Sequence, residues 1–240
     1  MAPWLPAALR TLAAADPAAA GRAVVALLPA QGIAVAGDLT YDLALRKGPA
    51  YAITVRDGAT EVLERTSPRP RRERDFAVRA SLPRLGAWAA GRRRRGVRGR
   101  RRAAALRALA AHPHSLAELD AAGVRPGVDL AWRLVAAAVD PSWTEGHALV
   151  VRHDVIGLEA PAGVIVRSTG DAPLGVERVV PGGGPAADAT IRTTPGAVLA
   201  AMRGASPPPG EMVEEGGDAA AIALLRGWIA RAERGIRPSA

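Results

Sequence analysis

The chain has 240 residues, with 32 basic against 23 acidic side chains, a formal charge of +9 and no cysteine. The lack of thiols excludes disulfides, thiolate catalysis and a zinc–cysteine site, and fits a reducing cytoplasm. Apolar residues make up 49 % of the chain, enough for a packed core in one or two domains.

The first twenty residues carry no positive charge ahead of their first apolar side chains and no long unbroken apolar stretch, so no signal peptide is expected. No apolar run reaches the ~20 residues that span a bilayer, and the final Arg237-Pro238-Ser239-Ala240 is no recognised targeting signal. Alternation and β-branched content predict strands over 33–46, 50–56 and 60–66, with Asp57-Gly58 as a hairpin turn suited to positive φ. An Asp-led alternating segment, 75–80, comes next. A helix then follows in which Ser81 stands at the cap, Pro83 in the first turn and Gly91 at the stop.

Eight arginines then fall between Arg92 and Arg102, and without them the formal charge drops to +1. Lys47 is the only lysine, and alanine, glycine and proline are abundant, the pattern of a GC-rich coding bias. Two readings of Arg92, Arg93, Arg94, Arg95, Arg98, Arg100, Arg101 and Arg102 follow. As a solvated loop they need no function. As a patch for an anionic membrane surface or an acidic partner they would act by charge, since guanidinium forks suit phosphate. Nucleic acid is the weaker partner, because aromatic residues are 3 % of the chain and stacking platforms are scarce.

Ser115-Leu116-Ala117-Glu118 reads as a capping box, and residues 128–139 as a further helix. Strands are predicted over 147–156, 162–168 and 174–180, then a second Asp-led segment, 188–193. Thr194 stands at the cap and Pro195 at the first position of another helix that stops at Gly204. The last helix places Ile222, Leu225, Ile229 and Ala232 on one stripe, between Asp218 as cap and Gly235 as stop.

The two stretches match each other. Asp75, Val78, Arg79, Leu85 and Gly91 align with Asp188, Ile191, Arg192, Val198 and Gly204 at one offset of 113. Residues 53–56 lie over 164–167, and 97–109 over 213–225, so that the basic run faces the acidic Glu211, Glu214, Glu215 and Asp218. That charge reversal motivates a third reading, in which the basic and acidic loops pair. The expectation is a duplication: an α+β chain of two tandem repeats, each a mostly antiparallel sheet covered by helices. The repeats span 1–111 and 128–240, with a helical connector at 112–127.

The order of hairpin strand, Asp-led strand ending in Thr or Ser, helix ending in Gly, and Gly-Asp turn into a long last helix resembles the sterol carrier protein-2 family. The match covers most of 128–235 and, more loosely, 17–111. The resemblance implies a sheet-and-helix fold enclosing an apolar tunnel for lipid-like ligands. Bacterial mycothiol-dependent isomerases carry a similar domain behind a metal-binding helical one. An accessory role of that kind is therefore an alternative, but the metal chemistry is not carried over. The first repeat departs from the pattern, with Arg101-Arg102 at the place of Gly217-Asp218.

Other chemistry is sparse. His112 and His114 flank Pro113 in a loop, and Ser115 and Glu118 are explained by the capping box. His147 and His153 share one face of a predicted strand, as surface groups or satisfied core polar groups. Residues 181–185, Pro-Gly-Gly-Gly-Pro, form a turn and not a phosphate loop, for no Gly-Lys-Ser/Thr follows. No paired carboxylates or activated nucleophile stand at persuasive spacing. The function expected is binding of a hydrophobic small molecule or acyl chain without catalysis, cofactor or metal; a structural or protein-interaction module is the alternative. Candidate wall residues are Val198, Met202, Ile222, Leu225 and Trp228 in the second repeat, and Leu85, Trp88, Leu106 and Leu109 in the first.

Overall fold

The computed structural model describes residues 4–35, 37–89, 97–99, 118–119, 123, 127–157, 162–202 and 206–234. The chain separates into two compact units, Leu5–Arg125 and, with Met1–Trp4, Pro126–Ala240. Among the described residues it holds six α-helices and two five-stranded mixed sheets, an α+β fold.

The first unit opens with α1 (Trp4–Ala15) and α2 (Pro17–Ala26). Asp16 separates them: its carboxylate accepts from the amides of Ala18 and Ala19 at 3.0 and 2.9 Å, while Pro17 fills the first helical position, where no amide is needed. A 3-10 turn over Leu28–Ala34 follows. The long strand expected over 33–46 is therefore shorter. Gly37, at φ +79°, breaks the extended run, and β1 begins at Leu39. β1 (Leu39–Leu45), β2 (Ala50–Arg56), β3 (Ala59–Arg65), β4 (Phe76–Ala80) and β5 (Val97–Gly99) lie in the order β3-β2-β1-β4-β5, with α3 (Leu82–Ala89) between the last two in sequence. The β2–β3 turn is the expected one, with Asp57 and Gly58 at φ +49° and +79°.

The second unit has α4 (Val128–Ala138), β6 (Ala148–Val155), β7 (Ala162–Thr169), β8 (Gly175–Val179), β9 (Ala189–Thr193), α5 (Pro195–Met202), β10 (Val213–Gly217) and α6 (Ala219–Arg234). Its order, β8-β7-β6-β9-β10, is that of the first sheet strand for strand. In each sheet the first and fourth strands run parallel and every other pair is antiparallel.

The Asp-led strands have one physical cause. Asp75 donates its amide to the Thr40 carbonyl at 2.7 Å, and its carboxylate accepts the Thr40 amide at 3.0 Å. Asp188 does the same with Val150, at 2.8 and 2.7 Å. Each carboxylate thus replaces the ladder bond missing where a parallel pair begins. Taken from these clamps, the rungs place Val166 where the first sheet has Ile53, and Gly217 where it has Gly99. Both lie two residues from the sequence match, a slip that leaves each side chain on its own face. So it is Gly99 that stands at the Gly217 position. Gly217 has φ +87°, and a Cβ there would lie 2.3 Å from the Asp188 carbonyl oxygen. Asp218 caps α6 as expected, accepting from the Ala220 amide at 2.8 Å.

One face of the first sheet buries Leu39, Tyr41, Leu43, Ile53, Val55, Phe76 and Val78 against Leu28, Leu85 and Trp88. Tyr41 stacks on Phe76 with ring centres 4.8 Å apart, and its hydroxyl donates to the Gln31 side chain. Helices α2 and α3 meet backbone to backbone. A Cβ on Gly21 would fall 2.0 Å from the Leu82 carbonyl oxygen, and one on Gly86 2.1 Å from that of Pro17. Gly21→Ala should therefore part the helices and cost about 1–3 kcal/mol in a urea melt. Gly227→Ala in α6, where nothing lies within 4 Å, should instead stabilise by up to ~1 kcal/mol through helix propensity.

Candidate functional site

Strands β3 and β4 run the same way on opposite sides of β1, so the chain between them crosses one face of the sheet. In the first unit this crossing carries a buried ionic cluster. Asp42 on β1 is fully buried, and its carboxylate accepts from Arg69 Nε and Arg74 Nη1 at 2.8 Å each and from the Arg69 amide at 2.6 Å. Arg69 also donates to the carbonyls of Tyr41 and Ile53 at 2.7 and 3.1 Å. Every oxygen of the buried carboxylate is answered, and the cluster ties the crossing down. In the second unit the crossing is the glycine-rich turn at 181–185, with Gly182 and Gly184 at φ +74° and +94°. The Gly182 amide donates to Asp154 Oδ2 at 3.2 Å, and Arg152 donates to the Pro185 carbonyl at 3.2 Å. Among the described residues Asp154 Oδ1 has no hydrogen-bond partner, and it lies over Gly163, where a Cβ would come within 2.6 Å.

The opposite face of the second sheet holds most of the expected wall. Ile222, Leu225 and Trp228 on α6 are buried together against Leu149, Val151, Val164, Val166, Ala189 and Ile191. Trp228 at 4 % exposure, rather than the half-buried Ile229, continues the stripe, because the helix turns its larger ring inward. Val198 is half-buried on α5, and Met202 ends that helix. Leu85 and Trp88 sit in the first unit's core. Leu106, Leu109, Arg92–Arg95 and Arg100–Arg102 lie outside the described residues, as do His112 and His114. Arg98 is placed by its backbone on β5, opposite Ala77. Of the acidic residues aligned with the basic run, Glu214 pairs with Arg192 at 3.0 Å and Glu215 with Arg226.

At one end of this wall lies a polar group that the strand periodicity located only in part. His153 on β6 is 9 % exposed. Trp132 on α4 reaches it from above, Nε1 to Nδ1 at 2.6 Å, and its Nε2 stands 2.8 Å from Thr193 Oγ1 on β9. An indole nitrogen only donates, so Nδ1 must accept and the neutral ring carries its proton on Nε2. His153 then donates to Thr193. This is the opposite polarity to a base that activates a hydroxyl, which needs a free lone pair on that nitrogen. The relay positions a hydroxyl; it does not deprotonate one. Burial pushes the imidazole pKa down from 6.5 to about 4. Nothing in sequence spacing links Trp132, His153 and Thr193, which lie 21 and 40 residues apart. At the corresponding rungs the first sheet has Leu43 and Ala80, both buried and apolar.

Among the described residues no group of three metal-ligating side chains converges, and no helix is long and apolar enough to cross a membrane. No family model and no curated protein matches the chain. Among solved structures, the stereoselective inverting sec-alkylsulfatase Pisa1 from Pseudomonas sp. is similar at 15 % identity and a TM-score of 0.32, over 61 % of this chain and 24 % of that one. A double mutant of the same sec-alkyl sulfatase gives 15 % and 0.33, over 52 % and 21 %. The chain thus spans about a quarter or less of those proteins, and likeness at that level carries no inference about fold or activity.

Two outcomes test the polar groups. The folded His153 pKa lies below the ordinary value, so the unfolded chain binds the extra proton. The neutral ring's contribution is whole above about pH 6.5 and lost as pH falls towards 4. Thermal melts should fall over that window, and His153→Gln should flatten the decline. Asp42→Asn should cost about 3–5 kcal/mol in urea, since two arginines are left without their counter-charge.

Proposed function

We propose that the chain is a pair of sterol-carrier-like repeats, of which the second binds a hydrophobic small molecule without transforming it. The observation that carries this reading is helix α5. Its eight residues, Pro195 to Met202, include no polar side chain. A helix apolar on every side needs apolar cover on every side. In the first unit the helix at this place, α3, has α2 laid along it in backbone contact. Among the described residues no helix lies along α5 in that way. Val198 is left half-buried, and Val213 on the neighbouring edge strand is 40 % exposed. The same strand order in both sheets and the shared aspartate clamp support the duplication.

The first repeat fits a structural role better. Its inner face is filled by the Tyr41–Phe76 stack and by the glycine contact of α2 with α3. A cysteine-free chain working in the cytoplasm completes the reading. Native mass spectrometry of the gently purified protein should show a co-purified lipid-sized adduct that is lost on denaturation. Addition of a fatty acid should change tryptophan fluorescence, and Trp228→Phe should remove most of that change while binding persists. Absence of both an adduct and a fluorescence response to fatty acid, acyl-CoA and sterol would leave the structural module as the function of both repeats.

A further inference from the structure

The relay from Trp132 to Thr193 ends in an unspent donor. Trp132 donates to His153, and His153 donates to Thr193. The Thr193 hydroxyl then has its own proton left over, and no acceptor for it stands among the described residues. A buried hydroxyl donor without an acceptor forfeits a hydrogen bond that water would have supplied. Thr193 is 6 % exposed and closes β9 immediately before α5. Its rung partner on the edge strand is Val213, whose side chain shares its face and is one of the large apolar groups left open to solvent. The donor therefore sits one strand inward from the exposed Val213 and at the root of α5, along which no helix lies among the described residues. A macromolecular surface cannot reach so recessed a group, but the end of a slender molecule can.

We infer that Thr193, held by His153 and Trp132, is the polar anchor of the ligand site, and that the ligand is an apolar chain bearing a hydrogen-bond-accepting oxygen such as an ester or other carbonyl. This rests on the apolar-ligand reading above and adds the one polar group that the ligand must carry. Arrival of an acceptor completes a directional series in which every donor is matched. Each donor polarises the next, so the terminal hydroxyl is a better donor than an isolated threonine. Thr193 and His153 are positioning and recognition residues, with no bond made or broken.

The test compares two probes of equal heavy-atom number, methyl decanoate and tridecane, titrated into the full-length protein. The wild type should bind the ester about three- to tenfold more tightly, the worth of one buried hydrogen bond. The carbonyl stretch of the bound ester should shift to lower frequency than in an apolar solvent. Thr193→Val should abolish both the preference and the shift, and Thr193→Ser should restore both. Equal affinities in the wild type, or an unshifted carbonyl, overturn the anchor and leave the apolar site standing. Those two readouts need no variant and stand even where Thr193→Val fails to fold. A folded Thr193→Val that keeps the preference assigns the acceptor elsewhere and overturns the inference. If neither probe binds, the apolar-ligand reading falls, and the anchor falls with it.

Discussion

The parallel pairing of the first and fourth strands governs both sheets. Antiparallel neighbours can be joined by a tight turn, but a parallel neighbour must be reached by a crossing. Here the crossing holds no α-helix, only irregular chain and, in the first unit, a short 3-10 turn at Arg71–Glu73, so its own backbone groups have to be satisfied against a sheet face. The clamp made by Asp75 on Thr40, and by Asp188 on Val150, closes the ladder at the point where the crossing ends. Register follows from that point: β1 and β6 meet their hairpin partners on one side and the Asp-led strand on the other, and the helices are left with the remaining face.

The two units answer the crossing in different currencies of interaction. The first binds it with charge, two arginines on one buried carboxylate, so the segment is fixed but highly dependent on Asp42. The second brings Gly184 close to Val179 and Ile165, with single hydrogen bonds from Gly182 to Asp154 and from Arg152 to Pro185. The inner faces diverge in the same manner. Aromatic stacking and close helix contact fill the first. In the second, the tryptophan-bearing helices α4 and α6 pack on the sheet, among the described residues no helix lies along the fully apolar α5, and at the rungs of two apolar residues of the first sheet stand His153 and Thr193.

The His153 relay also shows how little a residue inventory says about chemistry. Histidine and threonine at 2.8 Å would suggest a base and a nucleophile. The indole on the far side of the ring decides otherwise, for a donor-only group sets the tautomer and thereby the direction of every bond after it. Electrostatics at this site are set by the direction of hydrogen bonds and not by net charge. The strongly basic character of the chain lies elsewhere, in the arginine run.

Local patterning was enough to determine much of the molecule. Alternation located the strands, Asp57-Gly58 their tight turn, and Asp218 the start of the last helix, because each depends on a residue's own dihedral preferences and nearest neighbours. The matched Asp75 and Asp188 disclosed two similar stretches, since both do the same backbone task. Tertiary structure alone decided the rest. The strand order, the two-residue slip of the matched rungs, the closure of Asp42 by Arg69 and Arg74, and the meeting of Trp132, His153 and Thr193 all join residues far apart in the chain. Such contacts leave no local periodicity, because they are set by which faces the folded layers bring together.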